Sequence, residues 1–374
     1  MKIGALDPYL ATRGGGERYF LELALALAEG HDVEVIVPPG GQGSAAAGRD
    51  LEYTFGLDLS SVRLVDATDG ASGDSPYTPL DRYAAALSVT NDYPPRLRTR
   101  PHIAILQFPW DVTTWSLRHR WRARRALRAC DLVVVYSKFV HGWVEDRLGY
   151  RAAILPPPVS PVPADPSTVR EKLILAVGRF TAGGHNKKHE AMIRAFAAVR
   201  ARGLEDWGLV LVGTAGPGDE PYVQSVRESA MGLPVEIFPN LTRPDLEASY
   251  RRASLFWHAT GFGEDPDAHP ERMEHFGIAP VEAMSAGCIP LVISRGGLPE
   301  IVENDRSGIL WETEAQLVES TVRLATDAVT RARLAQGAID RATAFDRTAF
   351  RRRLEALLPA SLRLRPGGAP DDRP

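Results

Sequence analysis

The chain has 374 residues, 44% of them hydrophobic and 24% charged, with a formal net charge of -3. That balance is ordinary for a globular protein and excludes a fibrous or wholly disordered chain. It also leaves no whole-molecule field to draw in nucleic acid, so no nucleic-acid partner is expected, and the length allows two or three domains with separate cores.

Residues 2–6 are a short apolar run, Gly14, Gly15 and Gly16 make a turn, and residues 17–29 read as a helix with Phe20, Leu23, Ala24 and Leu27 on one face. Gly30 breaks that helix and residues 33–37 supply the next strand, a unit whose length implies a parallel crossover. Residues 40–50 and 68–79, rich in Gly, Ala, Ser and Asp, read as surface loops. Strands are predicted at 62–65, 103–106 and 132–136, with a basic helix over 115–128. Residues 155–167 hold six prolines in thirteen positions, which rules out a helix or a central strand and marks a domain boundary.

The rhythm then restarts. Strands are predicted at 172–177, 209–212, 235–238, 255–258 and 289–293, and helices at 188–202, 221–229, 243–252 and 278–286. Residues 314–358 read as helical. The implied organisation is an N-terminal α/β domain over 1–155, a proline-rich linker over 156–167 and a second α/β domain over 168–345. A C-terminal helix over 346–362 and a disordered tail over 363–374 complete it. Two such domains in succession place a ligand cleft between them.

Cys130 and Cys288 lie far apart in apolar or small-residue settings and form no metal-type or redox-type pair, so both read as buried thiols. The opening MKIGALDPYL lacks a signal-type segment, and no apolar run approaches the ~20 residues of a spanning helix. The expectation is a cytoplasmic protein, at most peripheral on the inner membrane face.

The chemistry concentrates in residues 274–287, EHFGIAPVEAMSAG. Glu274 and Glu282 stand eight positions apart, with Phe276 and Gly277 opening a helix between them. The first amides of a helix attract phosphate, Gly277 allows close approach, and a carboxylate beside that point can accept hydrogen bonds from sugar hydroxyls. Taken alone, the pair is as consistent with an ordinary amphipathic helix bearing a carboxylate at each end.

It is not alone. The segment, with residues 287–292 (GCIPLV), 296–302 (GGLPEIV), Asn304 and 307–310 (SGIL), resembles the E-x7-E region of retaining glycosyltransferases of family 4. The resemblance implies the GT-B fold, two Rossmann-like domains facing a central cleft, with the last helix crossing back to the first domain. It implies transfer of a sugar from a nucleoside-diphosphate sugar to an acceptor, with retention and with neither metal nor cofactor. Glu274 would hold the sugar ring and Glu282 the ribose, with Phe276, Gly277 and Ile278 at the phosphate. Arg179 and Lys187, or the neighbouring Lys188, would neutralise the departing diphosphate, as fixed cations can. Asn240 and Leu241 would face the base, and Gly15 and Gly16, in a loop resembling the family's GG-x-E, the donor phosphate.

Where many family members carry a histidine on the acceptor side, this chain has Gln107; Gln107 and Asp111 are the acceptor-side candidates. His258 reads either as a donor contact or as a satisfied strand-end histidine. The acceptor itself stays open among a glycan, a lipid-linked glycan and a small molecule. Residues 118–128 hold Arg118, Arg120, Arg122, Arg124, Arg125 and Arg128, which with Trp115 and Trp121 read as a solvated face or as a peripheral membrane contact. The rival readings are a nucleotide-sugar epimerase or hydrolase on the same fold, and a catalytically silent partner subunit.

Overall fold

Short runs of two to seven residues, too short for helices and rich in Val, Ile, Leu and Ala, form the strands, and every strand pairing among the described residues is parallel. Parallel strands covered on both faces bury nearly every residue, as β4 (below) does throughout. The computed structural model describes residues 1–12, 14–38, 43–67, 76–107, 115–162 and 169–363. It divides into two units, one of Met1–Tyr136, Val140–Pro158 and the chain from Phe350 on, the other of Ser137–Phe139 and Val159–Ala349.

In the first unit the order is β1 (Lys2–Leu6), α1 (Gly15–Ala28), β2 (Asp32–Val37), α2 (Ser44–Phe55), β3 (Arg63–Asp66), β4 (Ala85–Thr90) and β5 (His102–Leu106), then α3 (Leu117–Leu127), β6 (Leu132–Val135), α4 (Lys138–Leu148) and β7 (Ala153–Ile154). Its seven strands lie in the order β3-β2-β1-β4-β5-β6-β7. The predicted face of α1 is buried, and so are Tyr19, Leu21 and Glu22 on its other sides. The chain from Phe350 on contributes to the cover over Tyr19, together with Tyr136 and Leu155. Phe350 sets its ring edge-on to Tyr19, 6.0 Å between centroids, and Arg351 pairs with Glu29.

The second unit runs β8 (Glu171–Val177), α5 (His189–Ala201), β9 (Gly208–Gly213), α6 (Glu220–Ser229), β10 (Val235–Pro239), α7 (Arg243–Arg252) and β11 (Ala253–His258). It continues through α8 (Ile278–Ser285), β12 (Ile289–Ile293), β13 (Ile309–Trp311), α9 (Glu314–Thr326) and α10 (Ala328–Ala342) to α11 (Arg347–Leu357), whose later turns join the first unit. Its six strands lie in the order β10-β9-β8-β11-β12-β13. In each sheet the order reverses once, between β1 and β4 and between β8 and β11. Helices leave such a point in opposite directions and open a crevice at the carboxyl ends of the strands.

Several expectations are corrected. Residues 44–50 are not loop but the start of α2, because Ala45 to Ala47 favour helix, Leu51 and Phe55 bury one turn apart, and Gly56 ends it in the left-handed region (φ 63°). The stretch over 314–358 is helical as expected and is built of three helices, α9 to α11, the last spanning Arg347–Leu357. β4 and α4 were not anticipated; β4 is AALSVT, whose small residues give a weak strand signal. Cys130 is only half-buried, whereas Cys288 is fully buried. Burial pushes their thiols up to about 12 and about 11, so neither is poised as a nucleophile. Of the loop predicted at 68–79, residues 68–75 lie outside the described residues, as do the linker beyond 162 and the tail from 364, while Thr78 begins a 3-10 turn that runs to Arg82.

Candidate active site

In the second unit the carboxyl ends of β8 and β11 bring two side chains onto one oxygen of a third, Glu274. After β8 come Gly178 and Arg179, and the Lys187 side chain lies across Gly178, where a Cβ would stand 2.6 Å from Lys187 Cγ. Lys187 Nζ donates to Glu274 Oε2 at 2.7 Å, and Nε2 of His258, the last residue of β11, lies 2.9 Å from the same oxygen. The Lys187 and Glu274 side chains are 15% and 13% exposed. Burial opposes ionisation of Glu274, but the Lys187 charge and the His258 hydrogen bond prevail and hold its carboxyl well below the usual range. Burial keeps His258 below its ordinary value against the pull of Glu274, so a neutral ring donates its Nε2–H to the carboxylate. Oε1 of Glu274 accepts no hydrogen bond among the described residues.

Two more imidazoles stand by. Burial and the Lys187 charge lower His185 to about 4, and burial with His185 beside it holds His275 well below its ordinary value. Their ring centroids are 4.9 Å apart. Arg179 is exposed and close enough for its charge to act on His185. Lys188, the alternative lysine, turns away in a left-handed conformation (φ 61°) and pairs with Glu264 at 2.5 Å. A concavity of about 730 Å³ lined by Asn186, Lys188, Tyr222, Glu264 and Arg272 lies on that side and includes none of Arg179, Lys187 and Glu274.

The backbone at Glu274 is held by the paired glycines. Gly297 donates its N–H to Glu274 O at 2.7 Å, and a Cβ on Gly296 or Gly297 would stand 2.3 Å or 2.5 Å from the carbonyl oxygens of Glu274 and His275. Their role here is to let that loop lie against the residues before α8. Gly277 precedes α8 with φ 113°, which a side chain rarely tolerates. Ile278 and Ala279 then present the leading amides of the helix, while Pro280 has none to offer. Phe276, buried, closes the apolar side.

Glu282, one turn into α8, is buried and already engaged: Oε1 accepts from Arg243 at 2.7 Å and Oε2 from the Tyr250 hydroxyl at 3.1 Å. Those partners were not anticipated, although Arg243 and Tyr250 stand seven residues apart on one face of α7. Asn240 occupies the left-handed region (φ 62°); its N–H donates to Gly213 O, and its side-chain amide exchanges two hydrogen bonds with the Ala215 backbone, both 3.0 Å. It therefore splices the ends of β9 and β10. Leu241 packs against the core that includes Leu175, Tyr250 and Phe256.

In the first unit, Gly15 and Gly16 are the leading residues of α1 rather than a free turn, and Glu17 accepts from the Gly14 N–H. Gln107, buried after β5, lays its amide against Gly16. Asp111 lies outside the described residues.

Comparison with known proteins places this geometry. Residues 164–341 match the family model described as glycosyl transferases group 1. The chain is similar to a D-inositol 3-phosphate glycosyltransferase of Salinispora tropica, 34% identical over 173 residues, 43% of this chain and 34% of that protein. A protein of the same name from Stackebrandtia nassauensis is 27% identical over 208 residues, 52% of this chain and 45% of that one. The chain thus spans less than half the length of these curated relatives. Among solved structures, Anabaena HepE in complex with UDP superposes with a TM-score of 0.71 at 18% identity, covering 95% of this chain and 98% of that one. Sucrose-phosphate synthase from Thermosynechococcus elongatus gives 0.70 at 16% identity, over 96% and 98%. The chain therefore has the GT-B fold, and most of its second unit matches the glycosyl transferases group 1 model.

Proposed function

We propose that the chain is a retaining, metal-independent glycosyltransferase of family 4, moving a sugar from a nucleoside-diphosphate sugar to an acceptor. The observation that carries this is the Glu274 carboxylate, clamped through one oxygen by Lys187 and His258 with the other left to accept from a sugar hydroxyl. The leading amides of α8 stand beside it for a phosphate, and Lys187 and Arg179 supply positive charge for the nucleoside diphosphate as it leaves. With those cations fixed in place, departure needs no divalent ion. No nucleophile is assigned: Glu274 orients, and the sugar is attacked on the face its leaving group vacates. Support for the donor class comes from the HepE structure, solved with UDP.

In this reading Glu282 accepts a ribose hydroxyl while Arg243 and Tyr250 hold it in place, and the base lies by the Asn240–Leu241 turn. Gly15 and Gly16 offer their amides to the donor phosphate. The protein works in the cytoplasm. Its α3, exposed at Leu117 (84%) and Trp121 (60%) among exposed arginines, lies on an anionic membrane surface. Among the described residues no helix is long and apolar enough to cross a membrane.

The test is a thermal-shift panel of nucleoside diphosphates and their sugars, followed by product analysis. A bound nucleotide raises the melting temperature, because it binds only the native state. The best sugar nucleotide should be turned over with retention and without loss on chelation. Full transfer by Glu274→Ala would remove the mechanism. Sugar release or isomerisation with every acceptor refused would favour the hydrolase or epimerase reading.

A further inference from the structure

The concavity on the Lys188 side of the donor residues is built by two segments of the second unit. One is the loop over 182–188 with the start of α5, the other the stretch over 262–272 between β11 and α8. Glu264 ties them together. Its Oε1 accepts from Lys188 at 2.5 Å, its Oε2 from Arg272 at 2.9 Å, and its carbonyl oxygen from Arg295 at 2.7 Å. Lys187 and Lys188 are consecutive, yet the left-handed backbone at Lys188 (φ 61°) sends one side chain to Glu274 and the other to Glu264. The two sites therefore share no lysine. At about 730 Å³ the space falls within the roughly 300–1,000 Å³ of small-molecule sites. Its rim is open: Gly183, Gly184 and Gly263 are exposed, and a Cβ on Gly184 or Gly263 would meet nothing within 4 Å.

The lining decides what can enter. Lys188, Arg194 and Arg272 line it together with Glu190 and Glu264, three cations against two carboxylates. An anion meets both carboxylates and an ammonium meets all three cations, so the excess of a single charge selects neither strongly. An apolar ligand would take water from every one of these groups and return no hydrogen bond. Hydrogen-bonding capacity remains in both directions. Arg194 reaches Glu314 only at 3.8 Å, too far for a hydrogen bond, and Asn186 spends one amide N–H on Thr181 O. Glu190 accepts from the Ser225 hydroxyl through Oε1, and its Oε2 accepts nothing among the described residues. A sugar hydroxyl both donates and accepts, so it can bridge such neighbours. Sugar rings also carry apolar C–H faces, to which the half-buried rings of Tyr222 and Phe262 offer flat surfaces. Each ring is steadied by another, Tyr222 by His189 at 5.8 Å and Phe262 by Trp311 at 5.5 Å between centroids.

We propose that this cavity is an accessory site for a neutral saccharide, separate from the donor site. Arg194 and Asn186 donate to its hydroxyls, Glu190 accepts from them, and Tyr222 and Phe262 pack on its rings. The lining alone carries the inference, so it stands or falls apart from the transferase reading.

The full chain is titrated by isothermal calorimetry with the neutral maltotriose, cellotriose and chitotriose, beside trigalacturonic acid and the fully deacetylated, cationic chitotriose. At least one neutral trisaccharide should bind, about tenfold or more tighter than the acid and the amine. Excess UDP or GDP should change that affinity by less than about twofold, because the donor residues lie outside the cavity. Arg194→Ala should weaken binding about tenfold, the loss of one charged hydrogen bond. Ala191→Trp, which puts a ring into the space, should abolish it. Arg194 is exposed and Ala191 borders open space, so both variants should melt within a few degrees of the parent. If Ala191→Trp does not fold, Tyr222→Leu takes its place, with the same tenfold loss expected. Binding of none of the neutral sugars would overturn the proposal, as would preference for the acid or the amine. So would loss of binding when nucleotide is added, or an unchanged affinity in any folded variant.

Discussion

Lys187 and Glu274 are separated by 87 positions in sequence and by 2.7 Å in space. Glu274→Gln keeps the shape of the side chain but leaves a largely buried lysine without its counter-charge. The expected cost is about 2–4 kcal/mol at neutral pH, read by urea unfolding. Because the folded carboxyl titrates well below 4.5, its contribution is complete above 4.5 and is lost as the pH falls through the folded value. The gap between parent and variant should therefore close in acid. The same substitution should lower kcat/KM by about 100-fold or more, since it weakens an oriented acceptor of sugar hydroxyls. Glu274, Lys187 and Arg179 could be picked out from the sequence because motif spacing marks them. That His258 shares the Glu274 oxygen could not, because an isolated strand-end histidine looks the same whether satisfied by solvent or by a carboxylate.

At the scale of elements, the loops at the carboxyl ends of β8 and β9 separate two kinds of glycine. A Cβ on Gly178 meets the flexible Lys187 side chain, whereas a Cβ on Gly213 meets the Gly178 carbonyl oxygen at 1.9 Å. Gly178→Ala should thus shift the Lys187 stem while its Nζ keeps its Glu274 contact, raising the donor KM about tenfold with a small change in stability. Gly213→Ala should cost about 3 kcal/mol or more, since backbone cannot step aside as a side chain can. Calorimetry and donor kinetics on the two variants would distinguish these outcomes. Helix α3 offers a third test. Arg122→Glu with Arg125→Glu should weaken sedimentation with anionic vesicles by roughly 2 kcal/mol, at about 1 kcal/mol per basic residue, and leave turnover in free solution unchanged. The helix itself was legible from its composition. Helix α2 was not, because Gly, Ala and Ser suit loops and helices alike until Leu51 and Phe55 find a core.

For the whole molecule, the late assignment of the chain from Phe350 to the first unit has a consequence for stability. Ending the chain at Ala349 would uncover Tyr19 and remove the Arg351 partner of Glu29. The expected outcome is a melting transition of the first unit lowered by several degrees, measured by scanning calorimetry, with that of the second unit nearly unchanged. What sequence alone determined is the α/β class, the division into two sheets and the identity of the Glu274 segment. Those depend on short-range patterns: apolar runs, proline and glycine placement, and a dense motif. Tertiary structure alone decided which strands lie side by side, that His258 shares the Glu274 oxygen, and that α1 is covered on several sides. Each of these depends on where distant segments come to rest, and one-dimensional spacing does not encode that.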